Sequence, residues 1–367
     1  MSFKKLLFTT ISFFVVAFAS GQSVQKKQVN KYEVIGQVWS VEKANKWYSA
    51  HQWMTGADFI PSTAINQLEM WQKETFDTAT INRELDWAEG IGFNTMRVFL
   101  HSIVWKEDPR AFKQRVGQYL TIANRHHIQT MFVFFDDCWN KDPKPGKQPI
   151  PKTGVHNSGW MQDPGDPYSN DSTTYPELEK YVKDVMNYFK HDKRILLWDL
   201  YNEPGNSGKL EKSLVLLKKV VQWARSVNPD QPISIGLWAW DFEKLNTFQI
   251  ANSDIITYHD YEEPAWHLRV IQLLKAFGKP LICTEYMART RNSRFTNILP
   301  ILKKENVGAL NWGFVAGKTN TIYAWDTPMP NGEEPREWFH DIFRKDGTPY
   351  KEDEVKLIRE LNSEKRL

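Results

Sequence analysis

The sequence predicts an α/β fold, a single-domain (β/α)8 barrel of the TIM type. Three observations point to it. Short apolar runs of strand length alternate with segments of helical periodicity eight times along the chain. Neither linker composition nor a block of helices alone interrupts that alternation. In Ile195 to Pro204, Leu196, Leu197, Trp198 and Leu200 make the apolar run of a buried parallel strand, which stops at Asn202-Glu203-Pro204 because Pro cannot continue a ladder. A carboxylate is thereby delivered to a strand's C-terminal end, where the βα loops of a barrel gather above a solid core.

Each element follows from its residues. Trp39 to His51 reads as a short helix with Ser40 as N-cap, covering the barrel bottom. Trp53 to Phe59 is the first strand, followed by a polar loop from Ile60 to Thr75. Thr78 to Gly90 is helical, with Ile81, Leu85 and Ala88 on one face and a glycine at its end. Phe93 to His101, carrying Arg97, is the second strand; Asp108-Pro109 then starts a helix as cap and first-turn proline. Gln129 to Phe135 is the third strand. After it, an outsized loop runs through Asp136-Asp137-Cys138-Trp139 and His156 to about Tyr175. A long aperiodic loop within a compact domain is expected to be functional.

The helix from Pro176 to Lys190 leads into the fourth strand, and Leu210 to Val227 is the helix after it. Strands follow at Pro232 to Trp238, Ile255 to Asp260, Leu281 to Glu285 and Val307 to Gly313. Helices are marked by Leu268, Ile271 and Leu274, by Ile298, Ile301 and Leu302, and by Lys351 to Leu361.

Residues 1–21 read as a secretory signal: Lys4 and Lys5, an apolar run from Leu6 to Ala19, then small residues before Gln22. The run is too short to span a membrane comfortably, so residues 22–367 are expected as an exported, monomeric catalytic domain, periplasmic or secreted. Loss of Lys4 and Lys5 takes the formal charge from +3 to +1, which leaves no electrostatic footprint for nucleic acid. Cys138 and Cys283 follow different strands and read as separate buried thiols. Most of the 16 tryptophans are expected in the core, yet an aromatic excess of this kind also suits stacking of apolar ring faces on sugars.

A second strand-end glutamate, Glu285, closes Pro280-Leu-Ile-Cys-Thr-Glu. Two such glutamates are the minimum equipment for cleaving a glycosidic bond, one to protonate the leaving oxygen and one to attack the anomeric carbon. Strands four and seven lie across a barrel mouth from each other, so their glutamates can approach the roughly 5 to 5.5 Å separation of retaining enzymes. His101, His156 and the aspartates show no metal-ligand spacing, so neither metal nor cofactor is expected.

At this point the chain resembles a family. Trp-Asp-Leu-Tyr-Asn202-Glu203-Pro204 and Thr284-Glu285-Tyr286 look like the signature of the clan A glycoside hydrolases, particularly the family 5 cellulase-like and mannanase-like enzymes. The resemblance implies that Glu203 is the general acid/base and Glu285 the nucleophile, with Asn202 on the neighbouring sugar hydroxyl. It further implies that Arg97 holds the nucleophile ionised, that His259 and Tyr261 form the His-x-Tyr of the sixth strand, and that Trp312 is the aromatic floor of the sugar site. Asp136 stands where the family has a His, and with His101 it completes the set of expected substrate contacts.

The activity so implied is retaining hydrolysis of β-linked oligosaccharides or polysaccharides. A barrel that binds glycan without cleaving it would have lost a carboxylate, and both are present. Transglycosylation at the same site stays open, since it turns on whether the acceptor site excludes water.

Overall fold

The computed structural model describes residues 33–166 and 168–363. The signal segment lies outside them. Eight parallel strands form one sheet: β1 (Thr55–Asp58), β2 (Thr95–Phe99), β3 (Gln129–Asp136), β4 (Ile195–Asn202), β5 (Ile233–Ser234), β6 (Ile256–His259), β7 (Leu281–Tyr286) and β8 (Gly308–Trp312). Their order is β5-β4-β3-β2-β1-β8-β7-β6. A parallel bridge between Leu237 and Tyr258 joins the two ends, with Leu237 N donating to Thr257 O at 3.0 Å and His259 N to Leu237 O at 2.7 Å. The chain is a (β/α)8 barrel.

The helices are α1 (Val41–Ser49), α2 (Gln67–Trp71), α3 (Thr78–Gly90), α4 (Ser102–Glu107), α5 (Pro109–Arg125), α6 (Tyr175–Phe189), α7 (Ser213–Val227), α8 (Glu243–Asn252), α9 (Pro264–Lys275), α10 (Phe295–Lys304) and α11 (Glu352–Ser363). Among the described residues, no helix is long and apolar enough to cross a membrane. α1 plugs the bottom as its sequence predicts. Ser40 Oγ caps it, and Ala44 and Tyr48 pack on Met54, Met131, Leu196, Leu197, Ile282 and Leu310 from the strands' lower ends.

Three elements depart from the sequence reading. The short helices α2 and α4 sit in a segment read as loop and in the unassigned stretch between the second strand and the helix starting at Asp108. They are short and locally capped, by Asn66 and His101, so neither carries a periodic apolar stripe. The helix α8 escapes for a related reason: its buried face includes Gln249 and Asn252 beside Leu245 and Phe248. Those polar residues also shorten β5. Gln249 Nε2 donates to Gly236 O at 2.5 Å, and Ser253 Oγ accepts from Ile235 N at 3.1 Å, so side chains take bonds a longer ladder would use.

Candidate active site

Among the described residues, the upper barrel interior is polar because one guanidinium fills it. A cation with no exposure must be paired. Arg97, on β2, donates from Nη1 to Asp58 Oδ1 at 2.7 Å and to Glu285 Oε1 at 2.9 Å. Its Nε reaches Asp199 Oδ2 at 3.0 Å, and Nη2 reaches Asn202 Oδ1 at 2.7 Å. Three other strands are thus fixed to one rigid fork. Asp58 and Asp199 were not anticipated as site residues. The signal was there: a charge amid the apolar run of β4 can only be buried with a partner.

Glu203 follows β4 directly and takes a left-handed backbone with φ +42°. For a residue with a side chain this costs roughly 1–3 kcal/mol, which surrounding contacts must offset. Asp137 provides them. Its fully buried carboxylate accepts from Gly205 N at 2.8 Å, Lys209 Nζ at 2.7 Å, Ser213 Oγ at 2.5 Å and Tyr201 Oη at 2.8 Å, clamping the turn that presents Glu203. Trp238 Nε1 holds the same turn through Pro204 O at 3.0 Å.

The two glutamates converge with different partners. Glu203 Oε1 is 2.7 Å from His259 Nδ1, while its Oε2 is 3.3 Å from Cys138 Sγ and accepts from Asn206 Nδ2. Glu285 takes Arg97 on one oxygen and Tyr261 Oη, at 2.7 Å, on the other. A carboxylate oxygen of each and a ring nitrogen of His259 lie within 4.8 Å of one another. That triplet is also a donor set of the kind a divalent ion takes, as is Asp86, Glu89 and His126 on the surface. In both groups the ligand atoms hydrogen-bond one another instead, His259 to Glu203 and His126 to Glu89.

Burial sets the electrostatics. It pushes the Glu203 carboxyl above its ordinary range, against hydrogen bonds from Cys138 and Asn206. It pushes Glu285 up as well, with Glu203 adding to the rise and His259, Arg97 and Tyr261 opposing it. Asp58 is driven well up, chiefly by burial, with Glu285 and Asp199 adding to it. His259 is pushed down to about 4 by burial, so it is neutral at working pH. Glu203 therefore faces a neutral imidazole, and Glu285 a permanent cation.

The remaining expected residues fall into two groups. Asp136 accepts from Asn202 Nδ2 at 3.0 Å, Trp160 Nε1 at 2.7 Å and Cys138 N at 2.8 Å, which makes it a brace for Asn202; burial raises it to about 6. Trp312 lies edge-on to Phe99 and Trp160 at 5.7 and 5.0 Å, in an apolar wall that also holds Val133 and Cys138. His101 stands apart, with no exposure: Nδ1 accepts from Ile103 N at 3.3 Å and Nε2 lies 3.2 Å from Gln162 O, pinning the long third loop. Cys138 and Cys283 are free and buried.

Residues 55–317 match the family described as Cellulase (glycosyl hydrolase family 5). No curated protein sequence matches the chain. Among solved structures, an endo-β-1,4-mannanase from Thermotoga petrophila superposes with TM-score 0.52 at 16% identity, covering 85% of this chain and 76% of that one. The exo-β-1,4-mannosidase Op5Man5 from Opitutaceae bacterium strain TAV5 gives 0.59 at 17%, covering 84% and 59%. An endo-1,4-β-mannanase from Rhizomucor miehei gives 0.55 at 14%, covering 85% and 94%. At these identities the likeness is one of fold.

Proposed function

Because this chain belongs to glycosyl hydrolase family 5, we propose that it cleaves β-linked glycans with retention, by double displacement between Glu203 and Glu285. The observation that carries the proposal is the approach of the two carboxylates within one 4.8 Å triplet, combined with their unlike partners. Retaining pairs hold their carboxyl groups roughly 5 to 5.5 Å apart and inverting pairs roughly 6.5 to 9.5 Å, and an oxygen-to-oxygen approach within 4.8 Å supports the shorter spacing.

Glu285 attacks the anomeric carbon while Glu203 gives its proton to the departing oxygen. The Arg97 fork and the Tyr261 hydroxyl orient the nucleophile and favour its charged form. Once Glu285 is glycosylated its charge is gone, the pKa of Glu203 falls, and Glu203 becomes the base that activates water. Neutral His259 holds Glu203 without imposing a charge on it. Asn202, braced by Asp136 and Arg97, is positioned for the hydroxyl beside the anomeric carbon, and Trp312 for the sugar's apolar face.

The substrate class is a β-1,4-linked mannosyl or glucosyl chain, in line with the mannan-acting enzymes that share the fold. The enzyme acts outside the cytoplasm after removal of residues 1–21. The test is turnover of aryl β-glycosides by wild type, Glu203→Ala and Glu285→Ala, each with azide. Both variants should fail unaided, with azide giving an α-glycosyl azide from Glu285→Ala and a β-glycosyl azide from Glu203→Ala. Identical azide products from both would refute the division of roles.

A further inference from the structure

The mouth of this barrel is asymmetric. On the side of β8, β1 and β2, three loops interlock into a collar. Asn66 Nδ2 donates to Gly159 O at 2.8 Å and Gln67 Nε2 to Met161 O at 2.9 Å, so the loop after β1 holds the loop after β3. That third loop docks in turn on the loop after β8, with Asn157 N donating to Thr319 O at 2.8 Å and Met329 N to Gly154 O at 2.9 Å. The approach at Gly154 is so close that a β-carbon there would fall 1.7 Å from Met329 O. Lys318 closes the ring, its backbone N donating to Ser62 O at 3.1 Å and its Nζ to Glu69 Oε1 at 2.6 Å.

The collar seats Trp160 directly beyond Trp312. Trp160 is 2% exposed, packed against Phe99 and Trp312, and hydrogen-bonded to Asp136. Trp139 follows at the rim, 39% exposed, its ring 5.5 Å from the buried His156. Across the mouth the rings are open instead: Trp238 and Trp240, in the loop after β5, are half-buried, whereas Tyr261 packs on the Trp312 cluster and on Trp325 of the collar's β8 loop at 4.9 Å.

Catalysis assigns a direction to this asymmetry. The acid protonates the bridging oxygen, so the leaving part of the substrate lies on the Glu203 side, over the open rings after β5. The sugar that is attacked sits over Glu285 and Trp312, and its far end points at the collar. A buried tryptophan in hydrogen-bonded register leaves no course for further sugar units there. We infer that the enzyme attacks chain ends: its glycone side takes one terminal pyranose, and it releases a monosaccharide from the non-reducing end of a β-linked oligosaccharide. This rests on the double-displacement reading of Glu203 and Glu285.

The test uses the full chain with β-1,4-mannohexaose and cellohexaose carrying a label at the reducing end, alongside aryl β-mannoside and β-glucoside, with products taken early and read by mass spectrometry. The expected first products are an unlabelled monosaccharide and a labelled pentasaccharide. Labelled fragments of two to four sugars appearing together from the start would overturn chain-end attack while leaving hydrolysis intact. Inertness toward both hexaoses and both aryl glycosides would remove the hydrolytic reading itself, and this inference with it.

Discussion

Arg97 donates to Glu285 Oε1 across 2.9 Å from a guanidinium with no solvent exposure. The same nitrogen also holds Asp58, so Glu285 is fixed by a cation that is itself fixed from β1 and β4. A buried charge so bound cannot drift, and neither can what it holds.

Arg97→Lys keeps the charge and loses the fork. Lysine cannot reach Asp58, Asp199, Asn202 and Glu285 together, so Glu285 shifts. A displacement near 1 Å is worth about 10²-fold in rate. The expected outcome is a kcat lower by about that factor on aryl glycosides. Near wild-type kcat would show that charge alone suffices.

Asp137 is the clamp on the strained turn at Glu203. Removing Asp137 leaves the buried Lys209 with only the more distant, partly exposed Asp166 at 3.8 Å, and breaking a buried pair costs about 3–5 kcal/mol. Asp137→Ala should therefore lose stability on that scale in urea unfolding, with the midpoint moved and the slope kept. A negligible shift would remove the clamp from the account.

Asp260 supplies a pH signature. Burial raises it to about 8 in the folded protein, against an ordinary value of 3.8. A carboxyl raised on folding contributes stability that is full below 3.8 and is lost as pH rises through about 8. Wild type should thus fall in Tm relative to Asp260→Asn between pH 5 and pH 9. Parallel Tm curves for the two proteins across that range would contradict the assignment.

Both thiols should be inert in the native protein. Burial holds Cys138 and Cys283 well above the ordinary thiol range, and a protonated, inaccessible thiol is a poor nucleophile. Iodoacetamide at neutral pH should add nothing to the folded enzyme and two carbamidomethyl groups after unfolding, as counted by mass spectrometry. Rapid labelling of the native protein would place Cys138 in the open.

The barrel, and the meeting of Glu203 and Glu285 at its mouth, were legible because both rest on local pattern. The apolar runs ending in Asn202-Glu203 and Thr284-Glu285 are strands at any identity, and a carboxylate at such an end faces the mouth. What the sequence hid was set by distant partners. Asp58 and Asp199 become site residues only because Arg97 lies between them, and His101 leaves the site because the third loop folds back over it. The helix α8 was obscured by Gln249 and Asn252, whose burial depends on backbone groups in other elements. Residues 60–75 were read as one loop, and the collar they help to build is visible only in three dimensions.

The central claim is retention, and the anomer formed first tests it most directly. Proton NMR of the released sugar in the first minutes of aryl β-glycoside hydrolysis, before mutarotation, reads that configuration. With Glu203 and Glu285 acting by double displacement, the β-anomer appears first and the α-anomer grows in only by mutarotation. First appearance of the α-anomer would mean a single inverting displacement and would contradict the account.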